Sequence, residues 1–550
     1  MGSEWPFRYE LTIDKLLSTT LVRSPEKEIV YRDVRRYTYR EFDERIRRLA
    51  SGFSSLGLER GSRIGVIDWN TLHYLELMYA VPIHGSALHY INLRLAPEEI
   101  LYTIRYVEDD ALIVRDEFLP LVEKMADRIG FVKHWIVVND TGELPDSKLK
   151  PLHHIEDVVK AGDPGFKPEG LKEDMQAAIY FTSGTTGLPK AVHFKHRQIV
   201  LQAIINTLVT TAYPAPTRIS SLDVIMHIPP FFHGMGWMMP YLAGLIGLKQ
   251  VLPGRYDATV MLELIKREGV TFAAGVPVFL RMLLWHPEVD KYRDALKGFK
   301  FLIDGEHPPR VLFEQARKYG IEMIEAFGMS EGVGFTFAIP RDDMIGRPWE
   351  ELVEYYNTAG IPAPFVQVKI VDAEGREVPR DFKTMGEVLI KSPGLTEGYW
   401  KDEERTKASW TEDGWFKTGD IGVWNEKGYI LIVDRAKDVI KSGGEWISSL
   451  RLEDLISKHP AVAEVAVIAA RSRKWSERPL AVVVLKEEYR GKVKEEDLRE
   501  YLMKEYVDKG LIPKWWVPDK FIFTDALPRT SVGKTNKRAL RDKYKDIELP

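Results

Sequence analysis

A loop rich in Gly, Ser and Thr between two apolar runs has the composition of an anion-binding site. The stretch YFTSGTTGLPKAV contains these candidate contacts: Thr182, Ser183, Gly184, Thr185, Thr186, Gly187 and Lys190. Glycines let the backbone approach an anion, hydroxyl groups donate hydrogen bonds, and the lysine adds a positive charge. The spacing is not that of a Walker A loop, GxxxxGK[ST]. The loop therefore predicts phosphate binding, with a simple polar turn as the alternative.

The elements that must position this loop alternate between short β-branched runs and helical patterns. Predicted strands are 63–69, 111–116, 135–140, 177–181, 223–228 and 300–304, and predicted helices are 259–268 and 309–318. Thr38 is a predicted N-cap. Such alternation indicates parallel sheets covered by helices. From about residue 360 the pattern becomes antiparallel β, and from Lys437 it becomes compact α+β, so we expect a domain boundary near 434–437.

Composition excludes several classes of function. The chain has 550 residues, a net charge of −4 and no cysteine. The charge gives no footprint for nucleic acid, and the lack of cysteine excludes disulfides and thiolate chemistry and fits a cytoplasmic enzyme. Residues 226–248 carry no Lys, Arg, Asp or Glu, but their prolines and glycines argue against a membrane span and favour a buried segment near a binding site.

The loop and six further motifs resemble, in order along nearly the whole chain, those of the adenylate-forming superfamily of acyl-CoA synthetases, luciferase and peptide-synthetase adenylation domains. The further motifs are PFFHGMGW (230–237), AFGMSE (326–331), GWFKTGD (414–420), DRAKDVIKSGGEWIS (434–448), LPRTSVGK (527–534) and, less typical, DGEHPP (304–309). The likeness is strongest to fatty acyl-CoA synthetases of thermophiles. This likeness implies ATP, Mg²⁺ and CoA as cofactors. In the implied reaction AMP is transferred from ATP to a carboxylate, and the thiol of CoA then displaces AMP from the acyl group.

The resemblance also implies an α/β fold. The large N-terminal domain, residues 1–433, would hold two parallel-type sheets covered by helices, plus a β-barrel-like subdomain from about 360. Residues 434–437 would form a hinge about Lys437, and residues 438–550 a small mobile α+β domain. One face of that domain would serve adenylation. Its other face, with Lys441, Gly443 and Gly444, would serve thioester formation.

Roles carry over to matching residues. The opening loop would hold the β and γ phosphates, Glu331 and Thr182 would bind Mg²⁺, Asp420 would hold the ribose hydroxyls, and Arg435 would contact the nucleotide. The adenine would lie among these residues: Gly305, Glu306, His307, Phe327, Gly328, Met329 and Ser330. Relatives often have small residues at 306 and 307, Tyr at 327, Thr at 330 and Gly at 191, but none of these departures removes a charge. Lys534 would bridge the substrate carboxylate and the α-phosphate.

The acyl pocket is predicted from three positions. His233 matches a wall residue of the active site, Trp237 matches an indole that gates the fatty-acid tunnel, and Gly328 stands where acetyl-CoA synthetases carry a pocket-closing Trp. A medium- or long-chain fatty acid is the expected substrate. The polar residues Asp304, Glu306 and His307 leave a short hydroxy-acid such as 4-hydroxybutyrate open. Two further hypotheses are an adenylating enzyme that does not use CoA and a non-catalytic nucleotide-binding protein. Relatives also suggest a homodimer.

Overall fold

The computed structural model describes residues 9–182, 189–443, 445–530 and 534–550, apart from the side chains of Met235, Trp237 and Glu445. In chain order the strands are β1 (Glu28–Tyr31), β2 (Arg35–Thr38), β3 (Arg63–Ile67), β4 (Ala87–Tyr90), β5 (Ala111–Arg115), β6 (His134–Val138), β7 (Leu152–His154), β8 (Gln176–Thr182), β9 (Lys190–Lys195), β10 (Val224–Met226), β11 (Lys249–Leu252), β12 (Phe272–Gly275), β13 (Lys300–Ile303), β14 (Glu322–Met329), β15 (Gly332–Phe337), β16 (Ile361–Pro362), β17 (Gln367–Val371), β18 (Gly386–Lys391), β19 (Phe416–Trp424), β20 (Ile430–Arg435), β21 (Ile440–Ser442), β22 (Glu445–Ile447), β23 (Val462–Ser472), β24 (Ser476–Leu485), β25 (Lys520–Phe523) and β26 (Glu548–Leu549).

The helices are α1 (Ser18–Arg23), α2 (Tyr39–Ser55), α3 (Leu72–His84), α4 (Pro97–Val107), α5 (Leu119–Glu123), α6 (Ile155–Ala161), α7 (His196–Ala212), α8 (Gly234–Ile246), α9 (Ala258–Glu268), α10 (Pro277–Leu284), α11 (Arg293–Leu296), α12 (Arg310–Lys318), α13 (Trp349–Tyr356), α14 (Glu403–Ser409), α15 (Ser449–Ser457), α16 (Glu495–Leu502) and α17 (Lys537–Lys543). Thr38 caps α2 as predicted, because its hydroxyl accepts the Glu41 N–H while the Glu41 carboxylate accepts the Thr38 N–H.

Two largely parallel sheets form the N-terminal part, which confirms the predicted α/β class. The nine-stranded sheet has the order β16-β15-β14-β13-β12-β10-β11-β1-β2, and the seven-stranded sheet the order β7-β6-β5-β3-β4-β8-β9. In the part of these two sheets that the structure describes, pairing is antiparallel only towards their ends, in β1–β2, β14–β15, β15–β16 and β8–β9. The carboxyl ends of β8, β13 and β14 carry motif residues, and this is where ligands bind in parallel sheets.

The later residues form two smaller sheets. Strands β17-β18-β19-β20 make an antiparallel sheet in the region predicted to be antiparallel, and their pairing follows a linear path. The sheet β22-β21-β24-β23-β26, with β25 paired to β24, holds the core of the C-terminal part. The chain passes from one sheet to the other between Arg435 and Ile440.

The apolar segment 226–248 contains helix α8, which is 13 residues long. Its described residues Met238, Tyr241, Leu242 and Ala243 are fully buried in the protein. Among the described residues, no helix has the length and apolarity needed to cross a bilayer.

Candidate active site

A cavity of about 660 Å³ opens where the N-terminal sheets, the antiparallel sheet and the C-terminal part meet. The predicted site residues that line it are Thr182, Lys190, His233, Gly305, Glu306, His307, Phe327, Gly328, Met329, Ser330, Glu331, Asp420, Arg435, Lys437 and Lys534. Thr182 and Lys534, which are 352 positions apart in the sequence, thus line one cavity. Ser183, Gly184, Thr185, Thr186, Gly187 and Gly444 lie outside the described residues, and so does the side chain of Trp237.

The two ends of the opening loop are held together by the hairpin of β8 and β9. Thr182 pairs directly with Lys190 in this antiparallel register. The Lys190 ammonium lies 5.6 Å from the centre of the Tyr399 ring. Burial and the positive charge of Arg405 lower the pKa of Lys190, whereas the Glu331 carboxylate opposes this shift. An anion held by the loop would therefore meet a partly desolvated ammonium group.

Glu331 lies in the turn between β14 and β15, with 7% of its surface exposed. The Tyr399 hydroxyl donates a hydrogen bond of 2.6 Å to Glu331 Oε1, and the Thr396 N–H donates to the Glu331 carbonyl at 2.8 Å. These contacts fix the carboxylate at the cavity wall. No motif marks Tyr399 for this role, since a lone Gly-Tyr-Trp stretch is typical of ordinary packing.

Glu331 and Thr182 offer hard oxygen donors of the kind that Mg²⁺ prefers. No group of three or more His, Asp or Glu side chains in the described ranges could hold a metal by itself. A magnesium ion here would thus take most of its ligands from phosphates and water, which is its usual mode of binding at phosphate sites.

Asp420 and Arg435 face each other on the neighbouring strands β19 and β20. Arg435 Nε lies 2.7 Å from Asp420 Oδ1, and Asp420 is only 2% exposed. Asp420 Oδ2 is buried and has no hydrogen-bond partner within the described part of the chain. Burial raises the pKa of this carboxyl, and the charge of Arg435 opposes the shift. Asp420 Oδ2 is thus available to accept hydrogen bonds from the two hydroxyl groups of a diol.

Lys534 reaches the same cavity from the C-terminal part. The base of its loop is closed by the bridge between Arg529 and Thr535 and by the hydrogen bond of 2.7 Å from the Thr530 N–H to the Lys534 carbonyl. Its Nζ lies 3.2 Å from the point that a Cβ on Gly305 would occupy. Burial lowers the pKa of Lys534, and the charge of Arg435 lowers it further. Carboxylates that oppose this shift belong to Asp304, Glu306 and Asp420.

Asp304 follows β13 and forms part of the cavity floor. Its Oδ1 accepts the N–H groups of Gly305, at 2.5 Å, and Gly328, at 3.1 Å. Burial raises the pKa of Asp304 to about 6, although the nearby Lys534 charge opposes the shift. A Cβ on Gly328 would lie 3.1 Å from Asp304 Oδ2 and 2.6 Å from the Gly334 nitrogen. Close packing of β14 against β15 therefore requires glycine at position 328, whether or not the missing side chain also enlarges the acyl pocket.

The residues predicted around adenine surround one side of the cavity. His307 Nδ1 lies 2.9 Å from Glu325 Oε2. Burial alone would lower the pKa of His307, but the Glu325 carboxylate raises it overall. Phe327 packs against Phe335 with ring centres 6.3 Å apart.

His233 directly precedes α8 and lines the same cavity as Lys534. Burial and the Lys534 charge lower the pKa of His233 to about 3. Its imidazole is thus neutral at physiological pH and can shape the wall without adding charge.

Lys441 and Gly443, predicted on the second face of the C-terminal part, do not line the cavity. The Lys441 N–H donates to Glu477 at 2.7 Å, and the Gly443 N–H donates to the Trp475 carbonyl at 2.9 Å. Gly443 has a φ of +62°, and a Cβ there would lie 2.8 Å from the Trp475 ring. This glycine is required by the turn and by the indole packed on it.

Known proteins match this chain over almost its whole length. The profile of the AMP-binding enzyme family matches residues 17–400, and that of the AMP-binding enzyme C-terminal domain matches residues 451–534. A long-chain-fatty-acid–CoA ligase of Thermus thermophilus is 39% identical over 548 residues, covering 98% of this chain and 96% of the relative. A medium-chain-fatty-acid–CoA ligase of Ectopseudomonas oleovorans is 34% identical, covering 94% and 92%.

A solved structure supports the same assignment. ATP-bound MatB from Rhodopseudomonas palustris superposes with a TM-score of 0.82 at 25% identity, covering 98% of this chain and 99% of that one. Together with the profile matches and the relatives, this confirms the resemblance predicted from the motifs, and the chain belongs to the AMP-binding enzyme family.

Proposed function

We propose that this protein is an AMP-forming CoA ligase that activates a medium- or long-chain fatty acid. ATP and the acid would form acyl-AMP and pyrophosphate, and CoA would then take the acyl group. AMP-forming CoA ligase chemistry is supported by relatives that carry CoA ligase names. Those names, long-chain and medium-chain fatty acid, support the substrate class. A homodimer stays a prediction.

One observation carries the proposal: Lys534 enters a cavity that also holds Lys190, Glu331 and the pair Asp420–Arg435. Adenylation brings an anionic carboxylate to anionic ATP, so positive charge aimed at the reacting oxygens is its main need. Lys534 would contact the carboxylate and the α-phosphate, while Lys190 and the opening loop would hold the departing pyrophosphate. Asp420 Oδ2 would accept the ribose hydroxyls.

Glu331 and Thr182 would hold Mg²⁺, whose charge would neutralise the phosphates when bound. Tyr399 would keep the Glu331 carboxylate oriented through its hydrogen bond of 2.6 Å. The neutral His233 would exclude water from the acyl side without competing for the substrate anion.

Residues 434–437 are the proposed hinge between the domains, with Lys437 as the pivot. Asp434 joins both sides of it, because Asp434 Oδ2 accepts the Ser449 N–H of α15 at 2.8 Å. Lys441, Gly443 and Gly444 would face CoA after rotation. This accounts for the position of Lys441 and Gly443 outside the cavity.

A chain-length series tests the substrate class. We expect acyl-CoA formation, followed by AMP release and mass spectrometry of the product, to be faster with octanoate through palmitate than with acetate. Acetate as the best substrate would contradict the proposal.

Asp304 favours a second candidate, a short hydroxy-acid. Asp304 Oδ2 lies 3.1 Å from the position that a Cβ on Gly328 would occupy. In the proposed site, the acyl chain would extend from the reacting carbonyl past this position. A carboxylate buried there accepts a hydrogen bond from a hydroxyl group well and disfavours bare alkyl chains.

If 4-hydroxybutyrate is the substrate, Asp304→Ala should lower the kcat/KM for this acid by about 10-fold or more relative to hexanoate, because a charged hydrogen bond contributes about 1.5–3 kcal/mol. An unchanged ratio between the two acids would exclude this role.

Gly305→Ala should lower the rate of acyl-AMP formation by about tenfold, because the new methyl group would displace Lys534. Gly298→Ala is a matched control: Gly298 has a φ of +80°, close to the +86° of Gly305, but a Cβ there meets nothing within 4 Å. Both variants should lose about 1–2 kcal/mol of stability from the left-handed backbone, which thermal unfolding measures. Equal loss of activity in both would show that strain, and not the Lys534 contact, matters.

A further inference from the structure

Four charged side chains form a ring across the boundary between the N-terminal and C-terminal parts. Arg281 of α10 and Glu306 belong to the N-terminal side, and Glu464 of β23 and Arg529 belong to the C-terminal side. No sequence motif marks Arg281 or Glu464, whereas Glu306 lies in DGEHPP and Arg529 lies in LPRTSVGK.

On the C-terminal side, the contacts brace the base of the Lys534 loop. Arg529 Nη2 lies 2.6 Å from Glu464 Oε1, and Arg529 Nη1 donates to the Thr535 hydroxyl at 3.1 Å. Because Thr535 follows Lys534 directly and is bridged to Arg529, the position of Arg529 fixes the exit of this loop.

Two contacts join this base to the N-terminal side. The Thr535 hydroxyl donates to Glu306 Oε1 at 3.3 Å, and Arg281 Nη2 lies 4.0 Å from Glu464 Oε1. Glu306 also attracts Arg281 electrostatically, which closes a ring of alternating charges.

The ring is sheltered from water. The side chains of Arg281, Glu464 and Arg529 are 14%, 20% and 26% exposed. Arg281 Nε and Glu306 Oε2 are buried and have no hydrogen-bond partner within the described ranges. Charges buried to this degree interact more strongly than exposed ion pairs, and removal of one leaves its partner uncompensated.

We propose that Arg281, Glu464 and Arg529 are positioning residues that hold the C-terminal part in the orientation that inserts Lys534 into the cavity. None of the three lines the cavity, so they act through Lys534 and not on the reacting atoms. This inference rests on the proposed function, in which Lys534 serves adenylation and not the transfer to CoA.

The two half-reactions of the full-length enzyme test it. Glu464→Gln should lower fatty-acid-dependent ATP–pyrophosphate exchange by about tenfold or more, since a small misplacement of a reacting group has an effect of this size. Conversion of supplied acyl-AMP to acyl-CoA should change by less than about twofold, because it does not use the inserted Lys534. Glu548→Gln is the matched control, since Glu548 pairs with Arg473 at 2.7 Å elsewhere on the C-terminal part.

A double-mutant cycle tests the contact across the boundary. Arg281→Gln should slow the exchange, Arg281→Lys should restore part of the rate, and Arg281→Gln combined with Glu464→Gln should lose less than the product of the two single losses. Equal loss of both half-reactions in Glu464→Gln, or fully multiplicative losses in the cycle, would overturn the proposal. Absence of exchange in the wild-type enzyme would instead contradict the proposed function itself.

Discussion

Lys534→Ala should reduce acyl-AMP formation by a factor of about 10²–10³ or more, because removal of one charged group that stabilises the transition state costs this much. Its ammonium group interacts electrostatically with the carboxylates of Asp304, Glu306 and Asp420, which line the same cavity. Lys537 of α17 also lines the cavity, but its Nζ is paired with Glu453 Oε1 at 2.7 Å, whereas the Lys534 side chain lies at the Gly305 turn. The loss is measured by ATP–pyrophosphate exchange.

The second half-reaction discriminates a catalytic role from a structural one. Lys534→Ala should still convert supplied acyl-AMP to acyl-CoA at a near wild-type rate. Lys545→Ala, at an exposed lysine of the same terminal segment, serves as the control and should retain both activities. Equal loss of both half-reactions in Lys534→Ala would contradict the use of two domain orientations.

Asp420→Asn should lower kcat/KM for ATP by about 10²-fold, because Asn presents an amide N–H₂ in place of one acceptor oxygen. The shape of the side chain is kept, and Asn Oδ1 can still accept from Arg435. The sharper readout is nucleotide preference. The wild-type enzyme should reject 2′,3′-dideoxy-ATP strongly, and the variant should treat it almost like ATP.

Glu412→Gln removes an exposed carboxylate shortly before β19 and should leave the preference for ATP intact. If Asp420→Asn still rejected 2′,3′-dideoxy-ATP as strongly as the wild-type enzyme, Asp420 would not be the acceptor of the ribose hydroxyls.

Much of the fold follows from local patterns. The predicted helix 309–318 is Arg310–Lys318, and the predicted strand 300–304 is Lys300–Ile303. The strand predicted over 223–228 is shorter, Val224–Met226, since two prolines follow His227 and Ile228 and cannot donate to a sheet.

The site was predictable only where motifs mark it. Asp420 and Lys534 are identified through the ordered motifs, because local sequence alone makes one a turn residue and the other a solvated lysine. The hydrogen bond from Tyr399 to Glu331 spans 68 residues and depends on tertiary packing. The same holds for Arg281 and Glu464, which meet only when the two parts of the chain dock.

The most direct test of the central claim is ATP–pyrophosphate exchange by the wild-type enzyme without CoA, in the presence of each acid from acetate to palmitate. We expect exchange that requires a carboxylic acid and is fastest with a medium- or long-chain fatty acid. Absence of acid-dependent exchange across the whole series would contradict the assignment of this cavity to adenylate formation.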